Sequence, residues 1–487
     1  MKLTLLLFAL ALFLVDCSPK PIWIPYDGTN KNVYPGENWQ KAMEPEKLGW
    51  SSAKLAEARS YSQKIRSAAV MIVDNGVVVD AWGDITRKFY CHSIRKSLLS
   101  ALIGLHIEES NIDLSKTMEE LGIDDYEPSL TSNEKQATVF DLIRARSGIY
   151  RPALGEGYFM IPMRPERHAY APGTFWYYNN WDFNALGTIF EQETGTTIFE
   201  EFDSRIAKPL QMEDFNISDC SYKTSKDYGQ KAISKHRYYQ FRMSTRDLAR
   251  FGLLYLRNGQ WRDKQIISAE WVRESTASHS QIWPDGGYGY MWWTGAKGGL
   301  IANVMVKEHS FLASGAGVNK VIVLPYRNLV IVHRVDTSKG LQLQGKLPSQ
   351  IGRLLWLILE AAGEKGIGED PSIEAAKGVR LTPKKLKETL EGGTTWVGAN
   401  TGPIPGGDKI FISCLQGGKL FYSVEGNKRI NGKWWVNNDK LYLNLMGIKL
   451  VFYILKEGGT YKFFDLTGTL FGKFEISKNR SSALQIF

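Results

Sequence analysis

The sequence has few cysteines and no grouping of metal-binding residues. Its four cysteines, Cys17, Cys91, Cys220 and Cys414, lie far apart, with no CxxC pair and no Cys/His cluster at zinc spacing. The seven histidines form no HxH or HExxH pattern, so the sequence supports no metal site and suggests no cofactor. Runs of five or six like charges are also missing, and there is no basic helix. The net charge of +9 over 487 residues is scattered rather than gathered on one face, which argues against nucleic acid as a partner. What remains is a soluble globular composition, 43% hydrophobic and 23% charged, on a chain too long for one ordinary core.

The N-terminus carries one lysine and then an apolar run over residues 3–15. That run falls short of the ~20 residues a membrane-spanning helix needs, and it reads as an export signal. Cys17 follows directly and resembles the lipid-attachment cysteine of bacterial lipoproteins, although Asp16 stands where those proteins have a small residue. The expectation is an exported protein of the periplasm or cell envelope, either secreted or attached to the membrane through Cys17.

The rest of the chain divides by pattern. An extended, Pro/Gly/Asn-rich lead-in covers 18–47, and "SSAKLAEARSYSQKI" then reads as a serine-capped helix. Two β-rich runs, "AAVMIV" and "VVVDAW", flank Asp74-Asn75-Gly76, a strong hairpin signal. Helical patterns follow, among them "ATVFDLIRARSGI", "FNALGTIFEQETG" and "STRDLARFGLLYLRNG". Strands return in "KVIVL" and "LVIVHRV", and "PSQIGRLLWLILEAAG" closes this part as a helix. This order predicts an α+β unit over 48–365: an antiparallel sheet flanked by helices, with an inserted, mainly helical subdomain. A charged linker over 366–392 leads to an all-β unit over 393–487, with turn signals at the spacing of a small barrel or sandwich.

One local feature asks for an explanation. In "FYCHSIRKSLLSALIGLHIEE", Lys96 stands at the head of a run that reads as a buried helix over 97–107, three residues after Ser93. A buried ammonium loses hydration and must be compensated or neutralised. SxxK by itself is a weak signal, and it also occurs at Ser51-Lys54 and Ser132-Lys135, in polar, solvated contexts. Only Ser93 follows a hairpin and opens an apolar helix. Positions i and i+3 share a helix face, so Lys96 can reach the Ser93 hydroxyl. The helix N-terminus favours an alkoxide there, and burial lowers a lysine pKa toward that of a general base. The local pattern equally fits Ser93 as a helix cap with Lys96 extended outward to solvent.

Two further stretches bear on that choice. "APGTFWYYNNWDFNALG" places Tyr178 and Asn180 after a Pro-Gly turn and before a helix. A tyrosine there could shuttle a proton, and an asparagine amide could bond both a lysine and a substrate carbonyl. "FLASGAGVNKVIVLP" brings small residues to the start of a strand, which allows close backbone approach by a ligand and an exposed N–H as oxyanion donor.

Together, and in this order, the three stretches resemble the serine β-lactamase/penicillin-binding-protein superfamily. The likeness is to its class C β-lactamase, family VIII esterase and 6-aminohexanoate-dimer hydrolase branch, over roughly 50–363. That resemblance implies Ser93 as nucleophile, with Lys96 and Tyr178 sharing general-base and general-acid work. It implies Asn180 as support for lysine and substrate, and the N–H groups of Ser93 and Ala316 as the oxyanion hole. Where β-lactamases and D-alanyl peptidases carry KTG or HxG, this chain has Ala313-Ser314-Gly315. The missing cation would meet a substrate carboxylate, so the departure favours small-molecule ester or amide substrates. It leaves β-lactamase or D-alanyl-D-alanine carboxypeptidase activity, or a non-catalytic envelope binding role, as the alternatives. Tyr288, Tyr290, Trp292 and Trp293 are candidates for the acyl pocket. The C-terminal unit resembles the small lipocalin-like barrel appended to some relatives, either a cavity for apolar ligands or a structural spacer.

Overall fold

The computed structural model describes residues 21–28, 32–157, 160–228, 233–283, 285–338, 348–391, 394–399, 409–424, 430–445 and 448–477. The expected signal segment and Cys17 lie outside them. No helix among the described residues is long and apolar enough to cross a membrane.

In chain order, the elements that position the site begin with α1 (Ser52–Lys64), β1 (Ala69–Asp74), β2 (Val77–Gly83) and α2 (Ile94–Glu108). After these come α3 (Val139–Ile143), α4 (Asn180–Thr194), α5 (Thr245–Leu256), β3 (Gly286–Tyr288) and β4 (Trp293–Gly295). The unit closes with β5 (Ser310–Gly315), β6 (Asn319–Leu324), β7 (Leu329–Arg334) and α6 (Pro348–Ala361). Ser51 caps α1 by accepting from the Lys54 N–H, which settles the first SxxK match as a helix start. The β1–β2 hairpin turns through Asn75 and Gly76 with φ of 51° and 83°, the left-handed pair that an Asn-Gly turn supplies at low cost.

Among the described residues the sheet has ten strands, with β2, β1, β7, β6, β5, β4 and β3 adjacent in that order. It is mixed rather than purely antiparallel. Ile24–Pro25 and Gln40–Lys41, two short strands from the lead-in, join the β2 edge in parallel. Those pairs carry no alternating apolar pattern, so the sequence read them as extended chain.

Central strands are buried on both faces, and their side chains divide by alternation. Met71 and Val73 of β1, with Val330 and Val332 of β7, face the core that holds α2, α4 and α5. Val70, Ile72, Leu329 and Ile331 face the core that holds α1 and α6. Within α2, Leu98, Leu99 and Leu102 are fully buried, each stabilising the fold by about 2 kcal/mol. The predicted helix in "ATVFDLIRARSGI" is only the short α3. A Thr138/Asp141 capping box starts it, and the chain leaves the helix at Ala145, whose φ is 58°.

The C-terminal unit is a closed barrel of eight antiparallel strands, from Thr394–Ala399 to Leu470–Ile476. Trp396, Phe452, Phe463 and Phe474 pack its interior, together with Leu386 and Leu390 from the preceding helix, α7 (Pro383–Glu391). The barrel rests on α1 and α6 through one turn. Gln350 donates to Asp465 (2.8 Å), the Tyr61 and Thr469 hydroxyls are 2.6 Å apart, and Asn303 donates to the Leu470 carbonyl (2.6 Å). This contact lies on the sheet face opposite α2.

Candidate active site

The backbone before Ser93 is held from both sides. The Cys91 N–H donates to the Phe241 carbonyl (2.9 Å). The buried Arg334 guanidinium on β7 donates to the carbonyls of Phe89, Tyr90 and Met243. His92 then adopts φ of 48°, and its ring pairs with the Thr337 hydroxyl at 2.7 Å. α2 starts two residues later, at Ile94. The Ser93 side chain makes no helix-capping bond, and Lys96 is only 1% exposed. The capping role with an outward lysine is therefore not what the fold contains.

Lys96 Nζ lies 2.9 Å from Ser93 Oγ, 2.6 Å from the Tyr178 hydroxyl and 2.7 Å from Asn180 Oδ1. The junction that delivers Tyr178 from the loop and Asn180 from the first turn of α4 is fixed by Asn179, which caps α4 and donates to Ile149 O and Asp182 Oδ1, each at 2.7 Å. Asn180 in turn donates to the Gly155 carbonyl at 2.6 Å. Rings complete the surroundings, with Lys96 Nζ 4.2 Å from the Tyr178 centroid and 4.6 Å from that of Phe183.

Burial pushes the Lys96 pKa well below the ordinary lysine value, and the Arg95 charge pushes it the same way. Burial raises the Tyr178 phenol above its usual value. Burial thus acts on the two groups in opposite senses, favouring the protonated phenol of Tyr178 and the uncharged amine of Lys96. A neutral amine has two N–H groups and one lone pair. Asn180 Oδ1 can only accept, so it takes one N–H. The remaining N–H and the lone pair face two hydroxyls, and one hydroxyl must donate into the lone pair. When that hydroxyl is Ser93, the amine is positioned to take the serine proton.

The third stretch forms the opposite wall. A Cβ on Gly315 would lie 2.4 Å from the Cys91 carbonyl oxygen and 3.4 Å from His92 Cβ, so the end of β5 sits directly against the turn that presents Ser93. Beyond it, Asn319 donates to the Ala316 carbonyl (2.8 Å) and accepts from Arg334 Nε (2.9 Å), tying down the 316–318 turn. Among the described residues, neither the Ser93 nor the Ala316 N–H has a partner within the protein.

The aromatic candidates separate. Tyr288 packs edge-on to Tyr178 (6.0 Å between centroids), and Trp293 stacks on Tyr178 at 5.3 Å. Trp292 does not join them. It is fully buried against Phe251, Tyr255 and Phe311, in the core between α5 and β5. Tyr290 stacks on His279 instead. Sequence reasoning also missed three neighbours. Trp176 lies against both Tyr288 and Trp293, and Arg95 lies buried beside Lys96. The third is Lys320 on β6, whose ammonium donates to Ser314 Oγ across the β5–β6 ladder. The Ala313-Ser314-Gly315 stretch therefore does have a cation, supplied by the adjacent strand. Burial lowers the Lys320 pKa to about 8.

Among the described residues, one acidic group has metal-like spacing: Glu213, Asp214 and Asp247. Arg246 and Arg250 pair with its carboxylates, and Asp247 accepts the Glu213 N–H at the head of α5 (2.8 Å). It reads as a structural cluster.

Sheet, flanking helices and inserted helical segment make up a β-lactamase/transpeptidase-like fold. The family model for Beta-lactamase matches residues 52–345, well over half of the chain, and the protein belongs to that family. Similar solved structures include a candidate 6-aminohexanoate-dimer hydrolase from Bacillus anthracis, at 19% identity over 62% of this chain and 81% of that one (TM-score 0.47). An octameric penicillin-binding protein homologue from Pyrococcus abyssi matches at 17% identity over 87% of this chain and 99% of its own (TM-score 0.47). A candidate β-lactamase from Bacteroides dorei matches at 15% identity over 64% and 99% (TM-score 0.47). No curated protein matches the chain.

Proposed function

We propose that the protein is an exported serine hydrolase that cleaves ester or amide bonds through a Ser93 acyl-enzyme. The observation that carries this reading is the buried Lys96 amine, 2.9 Å from Ser93 Oγ and 2.6 Å from the Tyr178 hydroxyl. In this scheme Ser93 Oγ attacks the substrate carbonyl carbon while its proton passes to Lys96. The carbonyl oxygen becomes an oxyanion facing the N–H groups of Ser93 and Ala316, each such donor lowering the barrier by ~3 kcal/mol. Lys96 and Tyr178 then pass the proton to the leaving alcohol or amine as its bond to carbon breaks. Water repeats the cycle on the ester intermediate and frees Ser93. The scheme uses no metal and no organic cofactor. Export is supported by the apolar segment at residues 3–15.

Incubation with a p-nitrophenyl acyl ester or a fluorophosphonate should add covalent mass to the peptide that contains Ser93. Equal labelling of a Ser93→Ala variant would overturn the assignment.

A second reading gains support from Lys320. An ammonium on Ser314 suits substrates with a carboxylate near the scissile bond, the feature shared by β-lactams and by peptides ending in D-alanine.

A further inference from the structure

Arg95 has an unusual place in the fold. It is fully buried on α2, one residue before Lys96. Its guanidinium carbon lies 4.2 Å from the Tyr238 ring centroid and 4.0 Å from that of Tyr239. Nη2 donates to Asn184 Oδ1 at 2.7 Å, while among the described residues Nε and Nη1 have no partner. Among the described residues, no carboxylate pairs with Arg95 or with Lys96. A buried cation normally has a counter-charge, because desolvation without one is expensive. Two ring faces and one amide oxygen hold this one in place without neutralising it.

We propose that Arg95 is a positioning residue for the Ser93 site: its buried charge, held on α2 by two rings and an amide with no carboxylate partner, acts through the adjacent Lys96, the group that takes the serine proton. The proposal rests on the acyl-enzyme reading and adds to it a charge that acts on the base alongside burial.

Among the described residues, the groups in contact with Lys96 are hydroxyls, an amide and rings, so Arg95 is its charged neighbour on α2, while the Lys320 and Arg334 cations are engaged by Ser314 and by the carbonyls of Phe89 and Tyr90. From its own helix, Lys96 meets Ser93 and Arg95. From the loop before α4 it meets Tyr178, and from α4 it meets Asn180 and the Phe183 ring. Tyr288 of β3 reaches the same cluster through Tyr178. Tyr238 and Tyr239, from the strand beside α2, enclose Arg95 itself. All four phenols have pKa values raised by burial and are uncharged at neutral pH. The His92 ring, held by burial at about 4, is also neutral. Asp182 of α4 turns toward Ser147 and Asn179, and burial raises its pKa well above the carboxylate range. Burial, and after it the Arg95 charge, act in the same direction on Lys96.

The test is the pH profile of kcat/KM for a p-nitrophenyl ester in Arg95→Met and Arg95→Gln. Gln still offers a donor to Asn184, so at least one variant is suited to retain the fold. The midpoint should rise by about one pH unit, a tenfold loss near pH 7 that recovers at alkaline pH. Arg95→Lys, which restores the charge, should keep the low midpoint. An unmoved midpoint in folded Arg95→Met or Arg95→Gln would overturn the proposal, because a purely structural role lowers the rate equally at every pH. In the native protein, a midpoint at the ordinary lysine value would overturn it without any variant. Absence of any Ser93 adduct would instead refute the acyl-enzyme reading, so the two failures are distinguishable.

Discussion

Replacing Gly315 by alanine tests whether the two proposed oxyanion donors depend on close contact between β5 and the Ser93 turn. The added methyl would sit 2.4 Å from the Cys91 carbonyl oxygen, 3.3 Å from Asn319 Cβ and 3.4 Å from His92 Cβ. A carbon and a carbonyl oxygen settle at roughly 3.3 Å or more, so the strand end and the turn must separate by about 0.9 Å. Neither side yields easily. Arg334 ties the turn to β7, and Asn319 ties the 316–318 loop to Arg334. The separation therefore falls between the N–H groups of Ser93 and Ala316, one on each side. Misplacement by about 1 Å costs on the order of 100-fold in rate, and full loss of one oxyanion donor costs ~10²–10³ in kcat. Overpacking should cost a further ~1–3 kcal/mol of stability. The assay is steady-state hydrolysis of a p-nitrophenyl ester, with kcat and KM separated, alongside thermal unfolding. The expected result is a folded enzyme with kcat reduced ~100-fold or more and KM changed little. A folded Gly315→Ala enzyme with kcat within about threefold of the parent would refute the reasoning, since it would place the oxyanion somewhere other than between these two segments.

Tyr178→Phe removes the hydroxyl 2.6 Å from Lys96 Nζ while leaving its ring stacked on Trp293. It should lower kcat by ~10²–10⁴ with little change in melting temperature, and an unaffected kcat would remove Tyr178 from the proton path. Lys320→Gln should raise KM ~10-fold for an ester carrying a carboxylate and leave an uncharged isostere unchanged, with equal effects on both arguing against an anion-binding role. The Lys320 attraction is present below its pKa of about 8 and lost above it. The parent enzyme's KM for the carboxylated ester should therefore climb as pH passes 8, which a pH series of initial rates checks.

Much of the site could be read along the chain because its parts are local. Ser93 and Lys96 are three residues apart where one helix begins, and Tyr178 and Asn180 are two apart where a loop enters α4. Their types alone suggested proton transfer. Misreadings arose where neighbours in sequence take different environments. Trp292 and Trp293 are adjacent, yet one packs in the core and the other stacks on Tyr178. Met291, with φ of 61°, redirects the chain just before them, and composition carries no sign of that turn. Lys320 was invisible for another reason. Its relation to Ser314 is a register pair between two strands, which becomes a contact only once the hairpin forms. Arg95 was visible as a residue, but its lack of a counter-charge depends on every element packed around it.

The sequence by itself determined the order and type of the main elements, from the Asn75-Gly76 hairpin to the apolar α2 and the strand-rich tail, because turn chemistry and hydrophobic period act over a few residues. It also determined which side chains could do chemistry. Only the tertiary structure decided that Lys96 is enclosed rather than extended to water, that Tyr178 and Asn180 arrive at its amine, and that Arg95 beside it has no acid to neutralise it. Charge state depends on everything within several ångströms of a group. In this protein, that surrounding comes from α2, α4, the loop between residues 176 and 180, and strands brought together by the folded sheet.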